Sequence, residues 1–332
     1  MPNLNPQKRE VIAGMEGFVA GQLDLLEPVA DSWQPTDLLP DLVTEGWEDS
    51  VAELRDQSKG LSDDVLVVLV GDMVTEEALP TYQSLLNGFD GTSDKSGADA
   101  SAWARWTRGW TAEENRHGDL LNKYLYLSGR VDMKAVEVTI QNLIRNGFNP
   151  GTANDPYKGF VYTSFQERAT KISHKNVAKL GREGGDERLQ GICSMIAADE
   201  ARHEKAYTNF MAHIFEQDPA GAVMAFHDVM RKQVVMPAHL MDDGADPDLF
   251  EDFAVVAQRL GVYTAFNYSE IVGHLVKSWK VEHLVGLSGE AAKAQDYLCR
   301  LTSRYTKLAE RNEHRKTLDS PRKFSWIFNR PV

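Results

Sequence analysis

The sequence predicts an all-α protein built around a bundle of four helices that encloses a cluster of glutamates and histidines. Helical periodicity dominates residues 61–215, two core-facing helices each carry a Glu-x-x-His motif, and a glutamate precedes each motif by a similar distance. No shift in composition along the 332 residues marks a second domain. We therefore expect one domain over 1–332: an N-terminal arm with short helices (1–60), the bundle core (61–215), and additional helices with a C-terminal tail (216–332).

The composition is that of a globular protein and argues against two classes of function. The longest tight apolar run, Val65 to Val70, is much shorter than the ~20 residues that a helix needs to cross a bilayer, so we expect no membrane insertion. A net charge of −13 argues against nucleic-acid binding, which requires a basic surface. The two cysteines, Cys193 and Cys299, form no disulfide framework and indicate a reducing compartment.

Proline and glycine predict where the helices end. Residues 1–60 should form short helices and an extended stretch around Trp33-Gln34-Pro35, because they are interrupted by Pro28, Pro35 and Pro40. Loops rich in glycine and proline are expected at 87–99, 146–159 and 181–186. Residues 219–250 contain three further prolines and should be broken helix and loop, while helical periodicity returns from 250 to about 316. The tail 317–332 is expected to be extended.

Two segments have a helical face that mixes apolar residues with one glutamate and one histidine. The first face contains Trp103, Trp106, Trp110, Glu114, His117, Leu121 and Tyr124. The second contains Leu189, Ile192, Ile196, Glu200, His203, Tyr207, Phe210 and Ile214. A charge buried among apolar residues is costly unless a partner compensates it. Both faces therefore predict a compensating partner in the core.

The two faces carry matching motifs, Glu113-Glu114-Asn115-Arg116-His117 and Asp199-Glu200-Ala201-Arg202-His203. Residues three apart are neighbours on a helix, so Glu114 with His117, and Glu200 with His203, can bind one ion together. One such motif is usually a solvated pair, but two on core faces are typical of carboxylate-bridged bundles with two metal ions.

Such bundles also need a single glutamate from each of two further helices. Glu167 precedes the second motif, and either Glu76 or Glu77 precedes the first; Pro80 can distort that helix, so spacing does not decide between the two. Four carboxylates would neutralise two divalent ions, and oxygen with imidazole ligands suits iron or manganese.

Beyond these motifs the sequence resembles the soluble plant stearoyl-acyl-carrier-protein desaturase family over roughly residues 30–330. The resemblance is carried by Val70-Gly71-Asp72-Met73, Thr75–Tyr82, Trp110–Val131, Tyr162–Thr170, Ala197–Glu200, Met236–Met241 and Phe324–Phe328. It implies a ferritin-like di-iron bundle with additional helices that places a cis double bond at carbon nine, converting stearoyl to oleoyl on acyl carrier protein. It identifies as iron ligands Glu76, Glu114, His117, Glu167, Glu200 and His203.

The same resemblance implies two Fe²⁺ ions per subunit, dioxygen as the oxidant, reduced ferredoxin as the electron donor, and a homodimer. It favours the plastid stroma, with a transit peptide absent from this chain; the cytoplasm is the alternative. By analogy, Thr170 helps to deliver protons, Asp199 accepts the free imidazole N–H of His117, and Trp33 extends that pair as an electron path. Two simpler roles stay open: Thr170 as a hydroxyl bonded to its own helix, and Trp33 as an anchor for the arm.

The resemblance also implies a tunnel for the acyl chain. Its lining is expected to include Leu85, Gly88, Phe89, Pro150, Thr152, Gly159 and Phe160. The segment Asn87-Gly88-Phe89 departs from the family pattern: a phenylalanine could shorten the tunnel and a glycine could widen it. Palmitoyl as the substrate, or another double-bond position, therefore remains an alternative to stearoyl.

Acidic partners need a local basic surface, because the net charge of the chain would repel them. The segment 300–330 contains nine basic residues, Arg300, Arg304, Lys307, Arg311, Arg315, Lys316, Arg322, Lys323 and Arg330, against three acids. Arg231-Lys232 forms a smaller basic pair. Such runs are usually solvated faces, but docking of the carrier is the functional alternative.

The remaining histidines lack a carboxylate at metal-binding spacing, so His174 and the others are expected to be packing or surface residues, and Cys193 a small core residue. Two rival functions share the predicted ligands. One is a ferritin-like or catalase-like bundle for storage or detoxification, without an organic substrate. The other is a carrier-binding protein with a structural metal site. The long additional helical region and the resemblance outside the ligands favour the desaturase.

Overall fold

The computed structural model describes residues 4–313 and 321–332, and within them the regular elements are helices. The α-helices are α1 (Pro6–Gly14), α2 (Glu16–Gln22), α3 (Pro35–Leu38), α4 (Trp47–Ser58), α5 (Asp63–Glu77), α6 (Leu79–Leu86), α7 (Ala102–Ser128), α8 (Met133–Asn146), α9 (Pro156–Glu183), α10 (Glu187–Gln217), α11 (Pro219–Lys232), α12 (Leu249–Arg259), α13 (Ala265–Ser278) and α14 (Gly289–Glu313). Short 3-10 turns occupy Leu23–Leu25, Pro237–Leu240, Val281–His283 and Ser325–Ile327. The prediction of an all-α protein is confirmed.

The central bundle consists of α5, α7, α9 and α10, as the two motifs and their upstream glutamates predicted. Side-chain caps begin these helices, since Ser62, Ser101, Asp155 and Asp186 each accept a backbone N–H from the first turn. The helices α9 and α10 form a hairpin joined by residues 184–186 and pack along most of their length.

Pro80 does not distort the helix that carries Glu76, because the chain breaks between α5 and α6 before it. The helix α5 ends at Glu77, and Pro80 lies in the first turn of α6, where a missing N–H is tolerated. Gly118 of α7 lies against this end, because a Cβ atom there would approach the backbone of Glu76 and Glu77 to 3.2–3.3 Å. Glu76 is therefore in the last turn of α5, held close to α7.

Two apolar clusters lie on either side of the layer of the bundle that contains the motif glutamates and histidines. Along α7 the first cluster contains the tryptophans up to Trp110, and the second begins at Leu120. Along α10 the second cluster ends at Ile196, and the first resumes at Ala206. The glutamates and histidines of both motifs lie between these limits, so apolar packing closes the layer from both sides. None of the described helices is long and apolar enough to span a membrane.

The expectation of broken helix across 219–250 is wrong for its first part. The helix α11 runs without a break because Pro219 is its first residue, where proline fits without losing a hydrogen bond. The expectation of an extended tail is wrong for residues 321–332. Phe324 and Trp326 are fully buried, and the chain turns back so that Lys323 pairs with Pro331. Residues 317–320 lie outside the described residues.

Candidate metal centre

Six buried side chains from the four bundle helices form two overlapping groups of potential metal ligands. One group is Glu76, Glu114, His117 and Glu200; the other is Glu114, Glu167, Glu200 and His203. Within each group the ligand atoms lie within 4.8 Å of one another. Because both groups contain Glu114 and Glu200, these two carboxylates lie between two neighbouring positions and could bridge a pair of ions.

Each histidine directs Nδ1 into the centre. His117 Nδ1 lies 3.2 Å from Glu114 Oε2 and 3.3 Å from Glu200 Oε1. His203 Nδ1 lies 2.7 Å from Glu114 Oε1 and 3.7 Å from Glu167 Oε2. The imidazoles therefore occupy equivalent positions on opposite sides of the shared carboxylates.

The residues fit a pair of metal ions. Four buried polar atoms face the centre: His117 Nδ1, His203 Nδ1, Glu114 Oε1 and Glu200 Oε1. They lie as close as 2.7 Å to one another, but none of them makes a well-directed hydrogen bond. Unpaired buried polar atoms are costly, and four carboxylates in one apolar layer repel one another. Two divalent ions would bind all of these atoms and neutralise the four carboxylates. The buried groups can thus hold metal.

The crowding of buried carboxylates raises the pKa values of groups in the centre. Burial, together with the charges of Glu200 and Glu114, raises the pKa of Glu76 to about 7, although a hydrogen bond from His174 opposes the shift. Burial would lower the pKa of His203, but Glu114 and Glu113 raise it to about 9. Protons thus take the place of cations, and metal ions would have to displace them.

A carboxylate from the opposite motif holds the outer nitrogen of His117. His117 Nε2 lies 3.2 Å from Asp199 Oδ2, and the same oxygen accepts Trp33 Nε1–H at 3.2 Å and Arg116 Nη2–H at 3.1 Å. Arg116 also donates to the carbonyl of Trp33 at 2.6 Å. The sequence-predicted set Asp199, His117 and Trp33 is thus in contact, and Trp33 also ties the N-terminal arm to the bundle.

His203 has an equivalent partner that the sequence analysis missed. Its Nε2 lies 3.0 Å from Glu113 Oε2, which accepts Arg202 Nη2–H at 2.7 Å, while Glu113 Oε1 accepts the backbone N–H of Glu27 at 2.6 Å. The two motifs therefore cross, since the acid that precedes the ligand glutamate in one motif holds the histidine of the other. The repeated acid-Glu-x-x-His pattern was the signal that could have identified Glu113.

The two outer carboxylates of the centre also have ring N–H partners. Trp110 Nε1–H donates to Glu167 Oε1 at 3.0 Å, and His174 Nε2 lies 2.8 Å from Glu76 Oε1. The expectation that His174 is only a packing or surface residue is therefore wrong: a tertiary contact supplies the carboxylate that its sequence neighbours lack. Glu77 faces away and accepts a hydrogen bond from Asn122 at 3.1 Å, so the structure selects Glu76 over Glu77.

Three adjoining cavities pass the centre. The inner cavity lies against the carboxylates and is lined mainly by apolar and aromatic residues, among them Tyr82, Leu85, Leu86, Trp110 and Phe148. A middle cavity shares Glu76 and Thr170 with it. The outer cavity shares Asp72 and Tyr263 with the middle one and reaches the surface-exposed Leu308 of α14. Their shared lining residues thus place the three cavities side by side between the surface and the carboxylates.

Of the seven predicted tunnel residues, the structure brings Leu85 to the inner cavity. Phe89 and Phe160 are buried and meet edge to face at 6.1 Å between ring centroids. Gly159 leaves the room for Phe89, because a Cβ atom there would lie 2.2 Å from the ring. Gly88 lies beside Asn154, whereas Pro150 and Thr152 belong to the loop before α9. Within the described residues, these six lie outside the lining of the three cavities.

Thr170 lines both the inner and the middle cavity, one turn after Glu167. Its hydroxyl lies 3.1 Å from each of the carbonyl oxygens of Gln166 and Glu167. The hydroxyl thus makes the helix-backbone bond that the simpler alternative expects, at a place where it also borders the centre.

The predicted basic segment is partly neutralised by the chain's own acids. Arg300 pairs with Asp296 at 3.0 Å, Arg322 with Asp252 at 3.3 Å, and Arg330 with Asp63 at 2.6 Å. Arg304 lies 5.6 Å from the centroid of the Tyr297 ring. Arg315 and Lys316 lie outside the described residues. Acids outside the segment thus pair with one basic residue of α14 and with two of the C-terminal tail.

The chain is similar to known desaturases over nearly all of its length. A family model described as fatty acid desaturase matches residues 7–328. Stearoyl-[acyl-carrier-protein] 9-desaturases from Simmondsia chinensis and Brassica napus are 57% and 58% identical over 99% of this chain and 83% of theirs. An acyl-[acyl-carrier-protein] desaturase from Cucumis sativus is 58% identical over 99% of this chain and 84% of its own; all three names include "chloroplastic".

The solved structure of DesA2 from Mycobacterium tuberculosis has a similar fold. It superimposes with a TM-score of 0.53 at 18% identity, covering 83% of this chain and 97% of DesA2. At that identity the likeness concerns the fold alone, and it agrees with the prediction of a ferritin-like helical bundle.

Proposed function

This chain belongs to the fatty acid desaturase family, and we propose that it introduces a cis double bond at carbon nine of a stearoyl chain carried by acyl carrier protein. The observation that carries the proposal is the pair of overlapping ligand groups that share Glu114 and Glu200 beside an apolar cavity. The cavity places apolar and aromatic side chains, which suit a hydrocarbon, next to a centre able to bind two metal ions.

The metal is iron, with two Fe²⁺ ions held by Glu76, Glu114, His117, Glu167, Glu200 and His203. Their mixture of carboxylate oxygen and imidazole nitrogen suits iron, and the buried, partnerless donor atoms support a bound pair. When bound, iron supplies the activation of dioxygen that removing hydrogen from a methylene requires. The protein excludes water from this chemistry with the two apolar clusters that flank the centre.

The reaction balances as one dioxygen, two electrons and two protons consumed, with the acyl CH₂–CH₂ becoming CH=CH and two waters released. The two external electrons come from reduced ferredoxin, and the contacts Trp33–Asp199–His117 support their entry at the His117 side. The Thr170 hydroxyl borders the inner and middle cavities, where it serves as a proton donor at Oγ1.

The acyl chain enters through the outer cavity and ends beyond the carboxylates at Leu85 and Leu86. This direction is supported by the apolar lining of the inner cavity and by the outer cavity's position at the surface of α12 and α14. The carrier then docks near α14, where Arg304 and Arg311 offer positive charge. Reversing both charges should raise the apparent KM for the carrier substrate at low salt, and an unchanged KM would exclude this surface.

The enzyme works as a homodimer in the plastid stroma. The names of the relatives, which include "chloroplastic", support the compartment, and the homodimer is what the family resemblance implies. Sedimentation of the purified chain tests the assembly, since a monomer at micromolar concentration would contradict it.

The deciding experiment loads the protein with Fe²⁺ without oxygen, then adds reduced ferredoxin, dioxygen and stearoyl-acyl carrier protein, with mass spectrometry of the fatty acids. An oleoyl product supports the proposal, and a reaction without ferredoxin is the control. Palmitoyl-acyl carrier protein, the alternative substrate, is assayed in parallel, and a strong preference for it would replace stearoyl as the substrate. Oxygen consumption without an unsaturated product from either would favour the oxidase-like rival.

A further inference from the structure

We propose that His174 is a positioning residue for Glu76, fixing one carboxylate oxygen so that the other faces the metal position. The inference rests on the proposed function, because it concerns how the chain holds one of two metal ions. His174 is 1% exposed and stands on α9, 98 residues along the chain from Glu76. It belongs to neither ligand group and contacts the centre through Glu76.

The two outer carboxylates are held in the same way. Glu76 Oε1 lies 2.8 Å from His174 Nε2, and Glu76 Oε2 faces His117 Nδ1 at 3.8 Å. Glu167 Oε1 accepts Trp110 Nε1–H at 3.0 Å, and its Oε2 faces His203 Nδ1 at 3.7 Å. In each case one oxygen is fixed by a ring nitrogen and the other is free for an ion. His174 is thus the counterpart of Trp110.

The geometry makes His174 the donor to Glu76. Its Nε2 lies 2.8 Å from Glu76 Oε1, and an ionised carboxylate can only accept, so Nε2 carries the proton of this hydrogen bond. The thiol of Cys193 is a further polar neighbour of the imidazole. Cys193, expected as a small core residue, therefore also borders the imidazole.

Glu76 needs such a partner more than the other carboxylates do. It lies in the last turn of α5, directly before the chain leaves the helix at Ala78. Glu114, Glu167 and Glu200 lie well inside α7, α9 and α10, whose backbones continue for at least two turns on either side. Helix ends fray, so a contact from the middle of α9 confines a side chain whose own helix confines it least.

The test is anaerobic titration of the ion-free protein with Fe²⁺, and with Co²⁺ followed by visible absorption, for the unmodified chain, His174→Phe and His174→Gln. Gln places an amide N–H near the position of Nε2, while Phe keeps a planar ring, slightly larger than imidazole, without a donor. We expect His174→Phe to bind one ion normally and the second about 10- to 100-fold more weakly, as is typical for loss of such a partner. His174→Gln should restore the second ion and its Co²⁺ spectrum.

Unchanged binding of both ions by His174→Phe would overturn the inference. Equal losses of affinity in the Phe and Gln variants would also overturn it, because they would mean that ring packing, and not the hydrogen bond, matters. If His174→Phe does not fold, His174→Asn replaces it, because its shorter side chain does not reach Glu76; equal binding by Gln and Asn would overturn the inference. An unmodified chain that binds no ion would overturn the proposed function itself, whereas two ions bound equally by all variants would overturn only the role of His174.

Discussion

The two halves of the candidate metal centre offer the same types of ligand but have different surroundings. We call Glu76 with His117 the His117 half-site and Glu167 with His203 the His203 half-site; Glu114 and Glu200 are common to both. Behind His117, the carboxylate of Asp199 accepts the indole N–H of Trp33. Behind His203, the carboxylate of Glu113 instead accepts a backbone N–H, that of Glu27.

This difference shows that a metal ion would constrain the ligand atoms more strictly than the residues that lie behind the histidines. An ion needs donor atoms at fixed distances, and both half-sites meet that need with one carboxylate and one Nδ1. The next layer needs only to fix the imidazole, and an indole or a peptide N–H beyond the carboxylate does so equally well. Both half-sites have an indole nearby, but Trp110 is buried against Glu167, whereas Trp33 is only half-buried and belongs to the N-terminal arm. The proposed electron path therefore runs through the His117 half-site.

The largest effect should come from a carboxylate that both half-sites use. Glu200→Ala removes a potential ligand of both ions, so metal stoichiometry should fall from two toward none and desaturation should be lost. The loss of affinity should exceed the about 10- to 100-fold that removing an outer partner causes. Anaerobic iron titration with elemental analysis measures it. Retention of one tightly bound ion would mean that Glu200 is not shared.

The next largest effect should be confined to one half-site. Glu76→Gln removes a charge and a ligand of the His117 half-site, so we expect one ion to remain tightly bound and desaturation to be lost. Glu77→Gln is the matched control, because its carboxylate faces Asn122 and should leave both ions in place. Metal analysis of the two variants side by side decides. Equal loss in both would move the centre away from Glu76.

The pH should affect metal binding through the protons that occupy the ion-free centre. Ions must displace the protons of His203, whose pKa Glu114 and Glu113 raise to about 9 against the effect of burial, and of Glu76, whose pKa burial raises to about 7. Affinity should therefore fall as the pH is lowered, and more steeply below about pH 7, by up to about tenfold per unit for each extra proton. Calorimetric titrations from pH 6 to 9 test this.

The variant Glu76→Gln tests whether Glu76 is the group that causes the steeper pH dependence of metal binding. It cannot take up the proton that Glu76 binds below about pH 7, so the steeper part of the pH dependence should disappear for the ion that remains. Persistence of the steeper part would assign that proton to a different group.

The smallest expected effect concerns Trp33, the indole whose N–H binds the carboxylate behind His117. Trp33→Phe keeps an aromatic ring, although a smaller one, and loses the N–H bond to Asp199, so metal affinity should hold while ferredoxin-dependent turnover slows by about tenfold. Stopped-flow reduction by ferredoxin, compared with chemical reduction of the iron, separates electron entry from the later steps. An equal slowing with both reductants would assign Trp33 to anchoring the arm.

Much of the centre follows from local sequence, because helix geometry places residues three apart on one face wherever the helix lies. The two Glu-x-x-His motifs and Glu167 were therefore predictable, and the family resemblance added Glu76. The tunnel lining was less accessible. Leu85 borders the inner cavity, but Phe89 and Phe160 pack against each other beside Gly159. Whether such a ring lines a cavity or fills the core depends on how the neighbouring helices pack against it.

By itself, then, the sequence determined the all-α class, the four bundle helices and the residue types of the ligands, since these follow from periodicity and spacing along one chain. Only the tertiary structure decided which acid holds which histidine, that His174 reaches Glu76, and where the cavities run. Glu113 and His203 are 90 residues apart, and Glu76 and His174 are 98 apart. Contacts over such separations depend on how helices pack, which local periodicity does not encode.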